Sequence, residues 1–481
     1  MALSFCVGCG GSSNGPTPSG NFSNASLNGN YTYQFSGFDL NSGNNYVRSG
    51  VMIFDGNGGI TSGIDDFSEL DVPVTNNITG SYAVSNDGTG QVQMSLQSGN
   101  VLTFAITLIS TSKFNMIEAD NFASGAGTVE KQTTSAFSNA PAGTFVFRMH
   151  RVDSTFTTTG FVGSMTISGG VVTAGSEDIV TAGGGGLVSP TITSGLFNAP
   201  DPTTGRGTGS FTDSRPTTIP FNYYVVDSSH IRIFTIDNIS GLGSATLQTG
   251  GPFSDDSLSG NYVYQVSGDT VNNFEGIQTV GRFAASNGTI SDGRSDTQLD
   301  GAAQTNQTFT GTYNVASNGR AVVDLSYAGG AQPEHIYWMI SPTRAYFLVN
   351  DPTKAAEASV VSQTATSFSN STLNGQFGFF EDGLNLINPD TVDRVGTLQW
   401  DGKGNLTLNE FVNISGNTNT PGFLDGTYTI NGNEGGRATG VITGGSNPVN
   451  WTFYIISNTD AYLIGTNTQG QTSGAISLQS N

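Results

Sequence analysis

Apolar and polar residues alternate at period two along much of this chain. Tyr31, Tyr33 and Phe35 share one side of such a run, as do Tyr82 and Val84, and Phe104, Ile106 and Leu108. That period, with aromatic and β-branched enrichment, predicts half-buried strands. No stretch keeps a helical period with capping residues at its ends. Glycine-rich turn signals separate the runs: Asp55-Gly-Asn-Gly58, Asp87-Gly-Thr-Gly90 and Gln97-Ser-Gly-Asn100. Gly and Asn accept the positive φ of hairpin turns. Eight strands are predicted in the first block, near 30–38, 46–54, 60–70, 77–85, 91–97, 100–109, 113–120 and 126–132. Short connections favour an antiparallel meander. An even number of sequential strands can close on itself and remove both edges. The fold class is therefore all-β, with an eight-stranded up-and-down barrel as the unit and an immunoglobulin-like sandwich as the alternative.

The unit recurs four times. Ser26-Leu-Asn-Gly-Asn-Tyr-Thr-Tyr33, Ala140-Pro-Ala-Gly-Thr-Phe-Val-Phe147, Ser257-Leu-Ser-Gly-Asn-Tyr-Val-Tyr264 and Thr372-Leu-Asn-Gly-Gln-Phe-Gly-Phe379 open the copies, with anchors Gly29, Gly143, Gly260 and Gly375 roughly 115 residues apart. Gly80-Ser-Tyr, Gly195-Leu-Phe, Gly311-Thr-Tyr and Gly426-Thr-Tyr form a second landmark. Gln132, Gln248, Gln363 and Gln479 close the blocks. The period is domain-sized, so the chain divides into a tether at 1–20 and β repeats at 21–132, 133–248, 249–363 and 364–481. The joints 133–139, 249–256 and 364–371 read as short polar linkers, which predicts beads on a string with limited freedom. The Gly-x-Tyr/Phe opening of each copy resembles lipocalin-type (calycin) units.

Composition narrows the setting. Of 481 residues, 16 are Lys or Arg and 37 Asp or Glu, a net charge of −21, and charged residues make up only 11%. A chain so poor in cations is a weak partner for nucleic acid or anionic headgroups. Its 36% hydrophobic and 10% aromatic content supplies packed cores and excludes a disordered acidic tail. No segment reaches 18 consecutive apolar residues.

The only cysteines, Cys6 and Cys9, lie in the opening stretch. Val7-Gly8-Cys9 followed by Gly10-Gly11-Ser12-Ser13-Asn14 resembles the end of a bacterial lipoprotein signal peptide. The resemblance implies acylation of Cys9 and, because Gly10 follows it, passage to the outer membrane or cell surface. The membrane partner would then be reached through a lipid anchor only.

Candidate chemistry is sparse. His150, His230 and His335 occupy unrelated register positions, which argues against a repeated catalytic or metal site. No cofactor is implied. One acidic feature recurs 35 to 37 residues past the anchor glycine: Asp66, Asp178, Asp296 and Glu410, with Asp65 and Glu177 beside the first two. Two-residue alternation from Ile60 points Asp66 inward, where a carboxylate needs a cation or several donors. Arg48, Arg282 and Arg394 are candidate partners. The four acids are thus candidate ligand-reading groups inside the barrels, against a bulge at Gly63 turning the acid outward or a structural ion pair. The reading that follows is a non-enzymatic cell-envelope lipoprotein resembling repetitive β-rich bacterial lipoproteins. It would act as an interaction, adhesion or spacer array with a protein or glycan partner. The alternatives are a binder of small apolar or sugar-like ligands in the barrels, and an envelope glycan hydrolase with paired carboxylates.

Overall fold

The computed structural model describes residues 20–70, 73–270, 276–299, 301–385, 390–443, 449–467 and 470–480. Cys6 and Cys9, with the proposed acylation, lie outside them. Each copy folds as its own antiparallel barrel. In the first, β1 (Asn28–Asp39), β2 (Asn44–Asp55), β3 (Gly59–Ser68), β4 (Val74–Val84), β5 (Thr89–Leu96), β6 (Val101–Ser110), β7 (Lys113–Glu118) and β8 (Ala123–Lys131) pair in sequence. Pairing of β8 back onto β1, from Tyr31↔Lys131 to Asp39↔Ala123, closes the sheet. The third barrel closes by pairing Ala302–Val315 with Arg320–Tyr327 and carries an extra two-residue strand, Gly330–Ala331. Among the described residues, no strand is exchanged between barrels.

The alternation consumes itself in these lumens. Tyr31, Tyr33, Phe35, Phe54, Phe104 and Phe114 fill the first, with Tyr31 edge-on to Phe54 at 5.2 Å between ring centroids. Trp400 meets Tyr428 at 4.5 Å in the fourth. Eight strands leave room for side chains and little else.

The landmarks have physical causes. The anchors Gly29, Gly143, Gly260 and Gly375 all hold positive φ, at 96°, 118°, 123° and 116°, where the chain turns from its barrel cap into the first strand. Tyr82 of Gly80-Ser-Tyr82 reaches across the barrel end and donates its hydroxyl to the Leu27 and Asn24 carbonyls. Tyr313 and Tyr428 repeat this on Leu258 and Leu373.

The closing glutamines join the barrels to one another. The Gln132 side-chain amide donates to the carbonyls of Val225 (2.7 Å) and Thr204 (3.0 Å) in the second barrel. Gln248 does the same to Met339 and Asn318, and Gln363 to Ile455 and Gly435. Gln479 repeats the pattern on Leu108 (2.6 Å) and Asp87 (3.0 Å) of the first barrel. The following residue adds a backbone bond each time: Thr133 to Val226, Thr249 to Ile340, Thr364 to Ile456 and Ser480 to Ile109. The four barrels therefore form a closed ring. The bead-like freedom expected of the joints is not observed, because each joint enters the next barrel's hydrogen-bond network at its first residue.

Candidate functional site

The recurring acids sit where the barrels meet. In β3 the register shifts between Ile60 and Gly63, and the extra residue inverts the alternation beyond it. Asp65 then points inward and Asp66 outward, which corrects the simple parity expectation. Asp65 is fully buried, accepts from Tyr33 Oη at 2.7 Å and pairs with Arg48 at 2.7 Å. Burial raises its pKa, opposed by Arg48.

Asp66 enters the second barrel rather than solvent. Arg206 grips it with Nε at 2.9 Å and Nη2 at 3.1 Å, Asn222 donates at 2.7 Å, and the Tyr224 hydroxyl also donates. Asp178 is held in the same way by Arg320 (Nε and Nη2, each 2.8 Å) and by Trp338 Nε1 at 2.7 Å, both in the third barrel. Asp296 is held by Arg437 (each 2.7 Å) and Tyr454 Oη at 2.6 Å of the fourth. Hydrogen bonding to Asp178 raises the Arg320 pKa, and burial, then the acid beside it, pushes the Tyr224 and Tyr454 hydroxyls well above the usual range. Forked arginine on carboxylate is the strong form of ion pair.

Glu410 differs. Its pairing with the strand before it runs unshifted from Trp400↔Leu406 to Gly396↔Glu410, so the alternation from Leu406 holds and it faces the lumen. It pairs there with Arg394 at 3.1 Å. Its register mates are Asp65, Glu177 and Ser295, each opposite a glycine: Gly50, Gly163 and Gly281. The residue in the outward register is Phe411, opposite Val395. Of the candidate partners, Arg48 and Arg394 bind the inward acids, whereas Arg282 pairs with Asp292 instead. None of the four predicted acids lines an open pocket inside a barrel. Three rivet adjacent barrels and the fourth is satisfied within its own.

The arginines and aromatics that receive these acids were absent from the sequence-based expectation. Their signal is present: Gly205-Arg206, Gly319-Arg320 and Gly436-Arg437 recur in copies two to four, with Gly88-Thr89 in copy one. The acid occupies copies one to three. Two complementary sets offset by one copy are the mark of a head-to-tail contact. The seam between the fourth and first barrels lacks both. There Val395, Phe380 and Phe411 pack on Ala105, Ile117 and Ala126. Asn413 donates to the Glu118 and Ala123 carbonyls, and Ser124 bonds Asp393. Gly378, where the other copies carry Thr32, Val146 and Val263, makes room for Ile109: a Cβ there would lie 2.4 Å from Ile109 Cδ1.

A cavity of about 730 Å³ lies at the centre of the ring, lined by all four barrels. Ser36 and Glu130 face it from the first, Arg148 from the second, Arg344 and Tyr346 from the third, and Asp382 from the fourth. Two histidines line it as well. His150 Nε2 lies 3.4 Å from Asp269, and His230 Nδ1 lies 3.6 Å from Glu130. His335 is buried in the third barrel against Phe347, and burial lowers its pKa to about 4. Among the described residues, no group of three or more His, Cys, Asp or Glu side chains is arranged to hold a metal ion.

No protein-family model and no curated protein matches the chain. Solved structures give distant likenesses. The structure of intact Ap-TbpB (N and C lobes) is 9% identical, with 78% of this chain and 85% of that chain covered at a TM-score of 0.16. CghA with Sch210972 is 9% identical, with 70% and 89% covered at 0.16. The reading of the site rests on the chain's own geometry.

Proposed function

We propose that this protein is a non-enzymatic cell-envelope lipoprotein, a rigid four-barrel platform for interaction, adhesion or spacing, tethered through acylated Cys9. The observation that carries the platform reading is the four-fold repetition of the glutamine lock, with Gln479 returning to the first barrel. Locking every seam removes the freedom a flexible array would have and fixes the spacing of whatever its outer loops present. The lumens are packed with aromatic rings, which supports recognition by surfaces outside the barrels. The tether reading rests on Val7-Gly8-Cys9 and the Gly/Ser stretch after it. Mass spectrometry of the mature N-terminus from the native host tests it. A diacyl- or triacyl-modified Cys9 is the expected result, and an unmodified Cys9 in the mature protein overturns the anchor.

A further inference from the structure

The arginines of this chain are almost all taken. Of twelve, nine pair with carboxylates, and Arg294 donates to Asn306 Oδ1 at 2.9 Å. Among the described residues, Arg148 and Arg344 alone have neither kind of partner. They come from different barrels and converge on one ring: their guanidinium carbons lie 5.1 and 5.5 Å from the Tyr346 centroid, on the wall of the central cavity. In a protein with 37 acids to 16 bases, leaving two cations around one ring without a counter-ion is the reverse of what composition favours.

We propose that the central cavity binds a small hydroxylated anion, a sugar acid or sugar phosphate, with Arg148 and Arg344 taking its acidic group. Arginine forks match carboxylate and phosphate oxygens. Tyr346 holds the pair in place: it is 1% exposed, and its hydroxyl bonds Thr246 at 3.1 Å and Ser244 at 3.3 Å across the seam. Burial alone would raise the Tyr346 pKa, yet Arg344 and Arg148 outweigh it and lower it, the mark of a locally positive field. His230 stays neutral at pH 7: burial lowers its pKa to about 4, and Arg232 and Arg344 act in the same direction against Glu130. Of the acids that line the cavity, Glu130 pairs with Arg232 and Asp269 with His150, Glu357 lies near enough to His150 to favour its charge, and burial raises Asp382 and Asp393 of the fourth barrel to about 7. Ser36, Asn45, Asn115 and Ser267 line the rest and offer bonds to hydroxyl groups. The volume falls within the ordinary range for small-molecule sites. The proposal does not depend on how the protein is anchored.

Calorimetry on the intact chain at pH 7 tests it, with glucuronate, glucose 6-phosphate, glucose and inorganic phosphate as probes. One or both sugar anions should bind, and glucose and inorganic phosphate should each bind at least about tenfold more weakly. Arg148→Gln with Arg344→Gln should weaken sugar-anion binding by about tenfold or more. Both arginines lie over Tyr346, but Arg148 is half-buried and Arg344 exposed, so Arg344→Gln alone is the variant that least disturbs the seam. It should retain the wild-type melting temperature and still lose several-fold in affinity. Glucose or phosphate binding as tightly as the sugar anions, an unchanged affinity in folded Arg344→Gln, or no binding of either sugar anion up to about 50 mM would each overturn the proposal.

Discussion

At the scale of single residues, the carboxylates divide by one step of register. Asp65 and Asp66 are neighbours, yet one is sealed inside the first barrel with Arg48 and the other is clamped by Arg206 of the second. A carboxylate buried at a seam is stable only while its donors remain. Asp296→Asn leaves the Arg437 guanidinium with Glu434 at 3.4 Å as its remaining acid. The expected loss is about 3 kcal/mol, the lower end for breaking a buried pair. Arg437→Gln on that background should recover part of it. A double-mutant cycle in urea checks this, and additivity of the two losses would contradict the rivet assignment. That an acid would recur at this point was legible from the sequence. Its direction stayed open between inward parity and the bulge at Gly63 that the structure shows, because the inserted residue near Ile60 looks like any other strand residue until pairing is known.

At the scale of elements, the strands of the first copy were legible. The spans predicted for the first copy match β1 to β8 within a few residues, because alternation and Gly/Asn turns are local signals. The pairing of one strand pair does set a pH response. Asp382 and Asp393 are cross-strand partners. Burial raises both to about 7, with Glu381 adding to the effect on Asp382 and Ser124 opposing it on Asp393. Asp393 is 4% exposed and Asp382 only half-buried, so Asp393 carries the larger share. The native protein then keeps protons that the unfolded chain, titrating near 4, has released. Their contribution to stability is full below about pH 4, declines up to about pH 7 and is flat above it. Glu177, raised to about 8 by burial and then by Asp213, adds a further decline of the same sign. His230 and His335, lowered to about 4 by burial, act the other way between about pH 4 and 6.5, where the unfolded chain binds their protons. The test is therefore the difference: Asp382→Asn with Asp393→Asn should make the melting temperature fall less, or rise more, between pH 4 and 7 than in the wild type. An identical slope in the variant would refute the assignment.

At the scale of the molecule, the ring has one seam unlike the other three. Three seams carry Asp–Arg rivets and the covalent chain between their barrels. The fourth, joining residues far apart in sequence, relies on the apolar contact of Phe411 and Val395 with Ala105 and Ile117, plus Gln479 and Asn413. Burying a charge there without a partner is costly. Phe411→Asp should open the ring at this seam while each barrel stays folded. Small-angle scattering would show a larger radius of gyration, with the near-ultraviolet circular dichroism of the packed aromatics preserved. An unchanged radius would mean the seam does not depend on that contact.

The sequence by itself determined the repeat, the strand count and the closure of each unit, because these follow from local periodicity and turn chemistry. The tertiary structure decided which face each acid took and where the closing glutamines bond. It also decided that four units form a ring around a cavity. Those outcomes rest on contacts between residues about 70 to 400 positions apart, and a hydrogen-bond donor such as Gln479 carries no mark of the carbonyl it will meet.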